Sequence, residues 1–465
     1  MGKDVEVYKG ILLISVMDAI ILAGGKGEKL HPFSYTRPKA MIPVGNIPII
    51  GHQLNALRES GVKRVAIVLG GLGNQVVNYV EKVKGDLEVA YYWQEKPKGT
   101  ADALLKAKDW ITEDFLVLYG DVLISSNSIK KLVEKFKTSD AFSVLLVEKP
   151  KREEYYFGVS LKEDLVRKVQ WWGGDDARIC GIFAFEQNAI EYIQRNPGIM
   201  RSVTIGIMPP LEAELNQSVA EMIEDGKKVL AVEVVDYFED VDKPWEIIYA
   251  NMKYYEFKAR RLKESVIGKN AYISDKAVVK APVYLEEGAY IGDNVVINAP
   301  TFLEKGAKVD NGAIIDGAII GKYSRVERYS EVRAVIGKNV RIGHAAEVCG
   351  VIFDKVYILH YSEVCGVIGE NTDIGAATVV GTLRFDSERQ VVKIKGKRYR
   401  GESVAFIGDY CRTGVNAILM PGVRVGPYSI IGPGVVLYED LEPYKMVLVK
   451  QELVKRDWGP DRYGW

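Results

Sequence analysis

The hydrophobic pattern of this chain changes character near residue 266. Up to about residue 242, short aliphatic or aromatic runs alternate with amphipathic stretches of helical period. These runs predict buried strands at residues 19–22, 65–69, 89–92, 115–118 and 143–147. Buried strands that alternate with helices predict an open α/β sheet, whose ligands bind at the carboxyl ends of the strands.

A helix is predicted next, and a second, very different pattern follows it. Residues 244–262 are rich in tyrosine and basic side chains and predict one helix that links the two parts. Beyond it, aliphatic residues recur at a step of six, at Ile267, Ile273, Val279, Leu285, Ile291, Ile297, Leu303, Val309 and Ile315. A small residue stands four positions after nearly every one of them. This period predicts a left-handed parallel β-helix of hexapeptide repeats.

The step of six resumes at Ile407 after an interruption at residues 383–403, which is charged and irregular and predicts a loop. The patterns divide the 465 residues into an N-terminal extension (1–16), a sheet domain (17–242), a helical linker (243–265), a β-helix (266–440) and a C-terminal tail (441–465). Residues 11–17 are apolar and follow Lys9, but no small-residue cleavage site follows, so we interpret residues 1–16 as an extension and not as a signal peptide.

Net charge and cysteine count limit the classes of partner and the cellular location that are expected. Lys plus Arg and Asp plus Glu both number 62, so no net charge attracts nucleic acid or an anionic membrane. Four cysteines without a CxxC spacing predict free thiols in a reducing compartment, and cytoplasm is the expected location.

Candidate chemistry appears where the first predicted strand ends. Leu22-Ala-Gly-Gly-Lys-Gly27 is a glycine-dense turn that exposes backbone N–H groups, and Lys29 and Lys39 follow it. This combination suits a polyphosphate. The turn lacks the Gly-Lys-Ser/Thr ending of a P-loop and the third glycine of the dinucleotide fingerprint, which argues against a P-loop ATPase and a dehydrogenase.

The longer pattern, Leu-Ala-Gly-Gly-x-Gly-x-x-Leu at residues 22–30 with Pro38-Lys39 and Pro43-Val44-Gly45, resembles the sugar-1-phosphate nucleotidylyltransferase family. The resemblance implies a mixed, Rossmann-like sheet. It also implies an enzyme that transfers a nucleotidyl group from a nucleoside triphosphate to a sugar 1-phosphate and releases pyrophosphate.

The resemblance also assigns roles to individual residues. Lys29, which stands where the family usually has arginine, and Lys39 are the catalytic lysines. Asp121, at the end of Phe115-Leu-Val-Leu-Tyr-Gly-Asp121, and Asp240, in Tyr237-Phe-Glu-Asp240, are the Mg²⁺ ligands. Asp242 replaces a glycine of the family pattern. The nucleotide-binding residues are Leu22, Ala23, Gly24, Gly25, Gly27, Gln94, Gly99, Thr100 and Asp121.

Base and sugar are indicated by two further segments. Gln94 to Ala101 is similar to the family segment that reads a pyrimidine, so UTP or dTTP is favoured over GTP. Gly158 and Gly181 match the two glycines that border the sugar. The Glu-Lys-Pro normally found between them is absent, which leaves the identity of the sugar open.

The second half resembles the acetyltransferase half of bifunctional enzymes that make UDP-N-acetylglucosamine. His360 stands at the place of the family's general base, and acetyl-CoA is a cofactor only if this half is active. Its usual neighbours have changed to Glu363, Cys365-Gly366 and Thr382, so a packed or surface histidine is the equal alternative. Hexapeptide prisms commonly form trimers, so a homo-oligomer is expected.

Three functional interpretations follow. The first is a Mg²⁺-dependent nucleotidylyltransferase that uses a pyrimidine nucleoside triphosphate and glucose 1-phosphate or N-acetylglucosamine 1-phosphate. The second is a mannose-1-phosphate guanylyltransferase. The third is a regulatory paralogue that binds a nucleotide sugar without making it.

Overall fold

The chain forms two compact units in a computed structural model that describes residues 17–150, 156–171, 176–196, 212–386, 390–394 and 397–459. The first unit comprises Met1–Ser265 and Val391–Tyr399, and the second comprises Val266–Gln390 and Arg400–Trp465. The predicted N-terminal extension, residues 1–16, lies outside the described residues, as does the end of the predicted tail. Within the described ranges, no helix is long and apolar enough to cross a membrane.

The first unit alternates strands and helices. Its strands are β1 (Asp18–Ala23), β2 (Pro43–Val44), β3 (Ile47–Pro48), β4 (Arg64–Leu69), β5 (Glu88–Trp93), β6 (Phe115–Tyr119), β7 (Val122–Ile124), β8 (Ser143–Glu148), β9 (Phe157–Lys162), β10 (Leu165–Trp171), β11 (Ala177–Phe185), β12 (Val229–Glu233) and β13 (Phe238–Asp240). Its α-helices are α1 (Ile49–Glu59), α2 (Asn74–Val83), α3 (Thr100–Lys106), α4 (Ser126–Thr138), α5 (Ala189–Arg195), α6 (Leu215–Glu224) and α7 (Pro244–Arg261). Short 3-10 helices cover Glu28–Leu30, Phe33–Tyr35, Lys39–Met41 and Lys108–Trp110.

Nine of these strands form one mixed sheet in the order β5-β4-β1-β6-β11-β8-β12-β10-β9. Strands β5, β4, β1 and β6 are parallel, and β11 runs antiparallel between β6 and β8. The predicted open, mixed α/β sheet is confirmed. Because Leu22 on β1 is paired with Tyr119 on β6, the segments that follow these two strands start from the same edge of the sheet.

Both faces of the sheet are buried. Ala19 and Ile21 of β1 belong to one apolar cluster, while Ile20 and Leu22 belong to another. Successive side chains of a strand point to opposite faces, so an uninterrupted apolar run such as β1 requires cover on both sides. This explains why the strands in the sequence are continuous apolar runs and not alternating ones.

Helix α7 is packed as part of the first unit. It begins with Pro244, the carboxylate of Glu246 accepts hydrogen bonds from the backbone N–H groups of Asp242 and Lys243, and Trp245 is buried. Asn251 fixes the helix to the segment before α1, because the backbone N–H of Gly45 donates to Asn251 Oδ1 at 2.8 Å.

The chain from Val266 onward forms mostly short strands, and those within Val391–Tyr399 belong to the first unit and the others to the second. They are β14 (Val266–Ile267), β15 (Tyr272–Ile273), β16 (Val278–Val279), β17 (Val283–Leu285), β18 (Tyr290–Ile291), β19 (Val296–Leu303), β20 (Lys308–Val309), β21 (Ile314–Ile320), β22 (Arg325–Val326), β23 (Glu331–Ile336), β24 (Arg341–Ile342), β25 (Glu347–Ile352), β26 (Tyr357–Ile358), β27 (Glu363–Ile368), β28 (Asp373–Ile374), β29 (Val379–Val380), β30 (Val391–Ile394), β31 (Lys397–Arg400), β32 (Ala405–Ile407), β33 (Arg412–Thr413), β34 (Ile418–Leu419), β35 (Arg424–Val425), β36 (Ile430–Ile431), β37 (Val436–Leu437) and β38 (Met446–Val447). Most belong to two long parallel ladders, as a parallel β-helix requires.

The aliphatic residues at the step of six form the core of this unit. Leu285, Ile291 and Ile297 are fully buried, whereas Ile267 and Val279 in the first coil are exposed. The pairing distance shortens from 18 residues, between Ile291 and Val309, to 16 residues, between Arg341 and Tyr357. The ladder continues past residue 440, because β38 pairs with β36.

The interruption after residue 380 contains a hairpin, because β30 pairs with β31. Leu383 and Phe385 precede this hairpin, and both are highly exposed, as expected of a loop.

The prediction of four free thiols is wrong. Cys349 and Cys365 form a disulfide, and only Cys180 and Cys411 are free, both of them buried. The physical reason is the coil period. The two cysteines are 16 residues apart and lie opposite each other on β25 and β27, with a Cα–Cα distance of 4.5 Å.

Candidate active site

The glycine turn follows β1 directly. A Cβ on Gly24 would lie 3.0 Å from Gln94 Oε1, so a larger residue there would press on the buried Gln94 amide. Gly27 has a left-handed φ of 66°, and its carbonyl accepts a hydrogen bond from Ser34 Oγ at 2.6 Å. The turn therefore needs glycine both for close approach and for backbone conformation.

A cavity of about 480 Å³ opens beside this turn. Its lining includes most of the residues that the sequence singled out: Leu22, Ala23, Gly24, Gly25, Gly27, Lys29, Lys39, Gln94, Gly99, Thr100 and Asp121. Asp240, Gly158 and Gly181 are not among its lining residues, and His360 belongs to the second unit.

Lys39 lies among carboxylates at one end of the cavity. Its Nζ donates to Asp121 Oδ2 at 2.8 Å and to Asp242 Oδ1 at 2.6 Å. Burial opposes the charge of Lys39, but Asp121 and Asp242 outweigh burial and raise the pKa of Lys39 well above its ordinary value. Lys39 is therefore a permanent positive charge at neutral pH.

Asp242 binds the second lysine as well. Lys29 Nζ donates to Asp242 Oδ2 at 2.7 Å, so each oxygen of one carboxylate receives one ammonium group. Burial opposes ionisation of Asp242, yet Lys39 and Lys29 outweigh it and lower the pKa of Asp242 below its ordinary value. The sequence singled out Asp242 only as the residue that replaces a family glycine, and that departure was the one available signal for this contact.

Asp240 lies next to Asp121 because β13, which ends at Asp240, pairs with β7, which begins directly after Asp121. Strand β13 runs antiparallel to β7, and the N–H of Val241 donates to the carbonyl of Asp121 at 2.9 Å. Burial raises the pKa of Asp240, and the nearby carboxylates of Asp121 and Asp242 raise it further. This carboxyl group therefore resists ionisation unless another positive charge joins it.

The donor set fits magnesium bound jointly with a nucleotide. Within the described part of the chain, no group of three or more His, Cys, Asp and Glu side chains could hold a metal ion by itself. Mg²⁺ usually binds one or two carboxylates together with substrate phosphates, and not an all-protein cage. Asp121 and Asp240 match that arrangement, and the excess of carboxylates over lysines leaves room for a cation.

Gln94 borders the cavity with one oriented amide. Its Nε2 donates to Asp102 Oδ2 at 2.8 Å and to the carbonyl of Gly99 at 3.2 Å. Because a carboxylate only accepts hydrogen bonds, this contact orients the amide and directs Oε1 towards Gly24.

A segment that the sequence analysis did not identify completes this wall. The backbone of Ala213 accepts from Ala101 N and donates to Lys98 O, both at 2.7 Å. Glu214 accepts a hydrogen bond from Thr100 Oγ1 at 2.8 Å, and both Glu212 and Glu214 line the cavity. No motif marks this segment, since its place depends on tertiary pairing.

The two predicted sugar glycines lie farther along the sheet. Gly181 on β11 has a φ of 70°, and a Cβ there would lie 2.6 Å from the ring of Tyr119, which does line the cavity. Gly158 on β9 is paired with Arg178 on β11 and with Gln170 on β10. Gly181 thus reaches the cavity only through Tyr119.

A larger cavity of the first unit, about 630 Å³, is lined by none of the predicted site residues. Its lining includes Glu148, Lys253, Phe257 and Arg260, and over the whole lining the acidic and basic side chains are equal in number. Its volume alone does not make it the candidate site, because the phosphate-binding chemistry lies at the glycine turn.

In the second unit, His360 stacks on His344 with ring centroids 5.1 Å apart, and Tyr361 packs edge-on against both rings. Glu363, which replaces a family tyrosine, lies opposite Glu347 in register, and Glu347 lies opposite Glu331. Cys365 is in the disulfide. The neighbours of His360 therefore belong to columns, that is, to rows of equivalent residues that lie opposite one another in successive coils.

Comparison with known proteins gives one consistent result. Residues 18–170 match the nucleotidyl transferase family model, residues 262–353 the GMPPB C-terminal domain, and residues 405–439 the bacterial transferase hexapeptide model of six repeats. These matches fall within the two units described above.

Curated relatives resemble the chain over nearly its whole length. The bifunctional protein GlmU of Methanococcus maripaludis strain S2 is 31% identical over 459 residues, which cover 94% of this chain and 98% of that protein. GlmU of Methanocaldococcus jannaschii is 31% identical over 450 residues, covering 95% and 99%. A bifunctional sugar-1-phosphate nucleotidylyltransferase/acetyltransferase of Sulfurisphaera tokodaii is 30% identical over 433 residues, covering 91% and 98%.

Proposed function

This chain belongs to the family of the bifunctional GlmU proteins, and from that premise we propose a reaction for its first unit. The unit is a sugar-1-phosphate nucleotidylyltransferase. We propose that it uses Mg²⁺ and a pyrimidine nucleoside triphosphate, UTP or dTTP. The proposed acceptor is glucose 1-phosphate or N-acetylglucosamine 1-phosphate, and the second product is pyrophosphate.

One observation carries the proposal: the glycine turn, Lys29, Lys39 and Asp121 meet at a single cavity. The turn and Lys39 come from the segments after β1, while Asp121 follows β6. Backbone N–H groups and two ammonium groups suit phosphates, and a carboxylate suits the cation that accompanies them.

In this reaction an oxygen of the sugar phosphate attacks the α-phosphorus, and the bond from that phosphorus to the departing pyrophosphate breaks. The protein mainly has to align the reactants and neutralise the charge that grows on the leaving group. Lys39 holds a lasting positive charge in the cavity, and Lys29 supplies a second one as a point charge without a guanidinium fork. Mg²⁺ held by Asp121 and Asp240 would polarise phosphate oxygens when bound.

The wall with Gln94 supports a pyrimidine base. Gln94 Nε2 is occupied by Asp102 and Gly99, so Oε1 is the group left to recognise a ligand. Uracil and thymine offer N3–H as a donor to such an acceptor, but guanine offers N1–H as well, so the proposed preference for a pyrimidine rests on the similarity of residues 94–101 to the family segment.

For the second unit we propose acetyl transfer from acetyl-CoA, with His360 as the general base, as the names of the relatives suggest. We also propose that this unit associates into trimers, since Ile314, Ile418 and Val436 on its strands are exposed aliphatic residues. A cytoplasmic location stays a prediction, and the disulfide bears on it, because structural disulfides are rare in reducing compartments.

A panel of pyrophosphate-release assays tests the proposal. Purified protein with Mg²⁺ is given UTP, dTTP or GTP with glucose, N-acetylglucosamine or mannose 1-phosphate. We expect turnover with a pyrimidine nucleotide and one of the first two sugars. Turnover only with GTP and mannose 1-phosphate would select the guanylyltransferase. If the protein binds a nucleotide sugar but releases no pyrophosphate with any pair, the result would favour the regulatory paralogue.

A further inference from the structure

Asp242 occupies the place between two lysines that a phosphate group would be expected to fill. Its two carboxylate oxygens each accept one ammonium donor, from Lys39 at 2.6 Å and from Lys29 at 2.7 Å. The three side chains line the candidate cavity beside the glycine turn. A carboxylate that bridges two cations is chemically close to a phosphate that does the same.

The backbone holds this carboxylate in position. The N–H groups of Asp242 and Lys243 both donate to Glu246 Oε2 at 2.7 Å, and Glu246 is buried in the first turn of α7. Asp242 therefore cannot leave the cavity by a shift of a loose loop. Only rotation of its side chain would release Lys29 and leave Lys39 paired with Asp121 alone.

The local charge balance makes that rotation costly for an anion that arrives alone. Asp121, Asp240 and Asp242 supply three carboxyl groups to the two ammonium groups of Lys39 and Lys29, and the nearby ion pair of Lys243 with Glu246 adds one charge of each sign. A free triphosphate must take the lysines away from Asp242 and then tolerate its negative charge nearby. A triphosphate that arrives with a divalent cation carries less negative charge and loses less to this repulsion.

We infer that Asp242 is a positioning residue that competes internally with the phosphates of the nucleotide and makes nucleotide binding depend on a divalent cation. The inference rests on the proposed function, because it takes the cavity as the nucleotide site. A neutral residue at position 242 would remove the carboxylate partner of Lys29 and leave Lys39 with Asp121, so an anion would meet less competition for both lysines even without metal.

Direct binding measurements test this inference. The affinities of the full-length chain for UTP and for inorganic tripolyphosphate, which has no base, are measured by calorimetry in EDTA and in saturating Mg²⁺. We expect Asp242→Asn to bind both ligands at least about tenfold more tightly than the unmodified protein in EDTA, and within about threefold of it in Mg²⁺. Asp242→Gly, which restores the family residue, provides a second variant.

Asp236→Asn is the matched control, because it removes one exposed carboxylate from the same unit at a distance from the cavity lining. A gain of affinity cannot come from a damaged fold. Equal or weaker binding by both Asp242 variants in EDTA, with normal binding in Mg²⁺, would overturn the inferred role of Asp242 and leave the proposed function standing. Failure of every protein to bind either ligand in either buffer would overturn the proposed function instead.

Discussion

The two units place their polar side chains in opposite ways. In the first unit, Lys29 reaches Asp242 across 213 residues of sequence, and the candidate site exists only because several segments meet at one sheet edge. In the second unit, equivalent residues of successive coils contact each other, as Cys349 and Cys365 do at a separation of 16 residues. A site of the first kind depends on a few individual residues, whereas a column of the second kind tolerates loss of one member.

The largest effect is expected at Asp121. Replacing it by asparagine removes the carboxylate that contacts Lys39 and that would share the cation, so pyrophosphate release should fall roughly 10³-fold. The fold should survive, because the change also relieves the carboxyl crowding that raises the pKa of Asp240. Initial rates and thermal unfolding are measured on the same preparations.

The matched control for this change is Asp236→Asn. Asp236 is exposed and accepts a hydrogen bond from Asn127, and asparagine suits its left-handed backbone. Its rate should stay within twofold of the unmodified protein. Unchanged turnover in Asp121→Asn would remove Asp121 from the site.

Much of the architecture was predictable because its signals are local. Strand β1 is a continuous apolar run, and the coils repeat their aliphatic residues at a fixed step, so neither prediction needs knowledge of distant contacts. The disulfide was missed because no CxxC spacing marks it, although the coil period places Cys349 against Cys365.

The candidate site was predictable only in its list of residues. Motifs identified Lys29, Lys39 and Asp121, but the carboxylate of Asp242 between the lysines depends on how β13 and α7 are placed beside the glycine turn. Ala213 and Glu214 carry no motif at all, and they join the site through backbone hydrogen bonds of Ala213 with Lys98 and Ala101 and a side-chain hydrogen bond from Thr100 to Glu214.

The next-largest effect is expected at His52, which lies in α1. His52 is buried and donates to the carbonyl of Val44, and burial lowers the pKa of His52 from 6.5 to about 4, with Lys258 acting in the same direction. Above pH 6.5 the neutral ring is stable in both states. As the pH falls from 6.5 towards 4, His52 binds a proton in the unfolded chain but stays neutral in the folded chain. The free energy of unfolding should therefore fall by about 3 kcal/mol.

Urea unfolding followed by tryptophan fluorescence tests this, because five of the seven tryptophans, the buried Trp245 among them, belong to the first unit. The unfolding free energy should fall between pH 7 and pH 4.5 in the unmodified protein and fall less steeply in His52→Gln. The comparison uses the difference in slope, with pH 7 to 8 as the internal reference. Parallel slopes would show that His52 is not the group responsible.

A smaller effect is expected at Gly99. Its φ is 103°, and a Cβ would lie 2.3 Å from the carbonyl oxygen of Ala213, so alanine must push the Ala213 segment away. We expect Gly99→Ala to weaken nucleotide binding about tenfold, measured by calorimetry. Gly226→Ala is the control, since Gly226 also has a positive φ but a Cβ there meets nothing within 4 Å. Equal affinities in the two variants would show that the close contact between position 99 and Ala213 does not affect nucleotide binding.

The smallest effect on nucleotidyl transfer is expected in the repeat unit. His360→Ala should leave pyrophosphate release within twofold, because none of the residues that line the candidate cavity belongs to the second unit. Its twin His344→Ala separates catalysis from packing, since the two rings stack in successive coils. A general base at 360 predicts loss of acetyl transfer to glucosamine 1-phosphate by roughly 10²-fold or more in His360→Ala only. Equal losses in both variants would assign His360 to the column, and a large loss of pyrophosphate release in His360→Ala would show that the two units are energetically coupled.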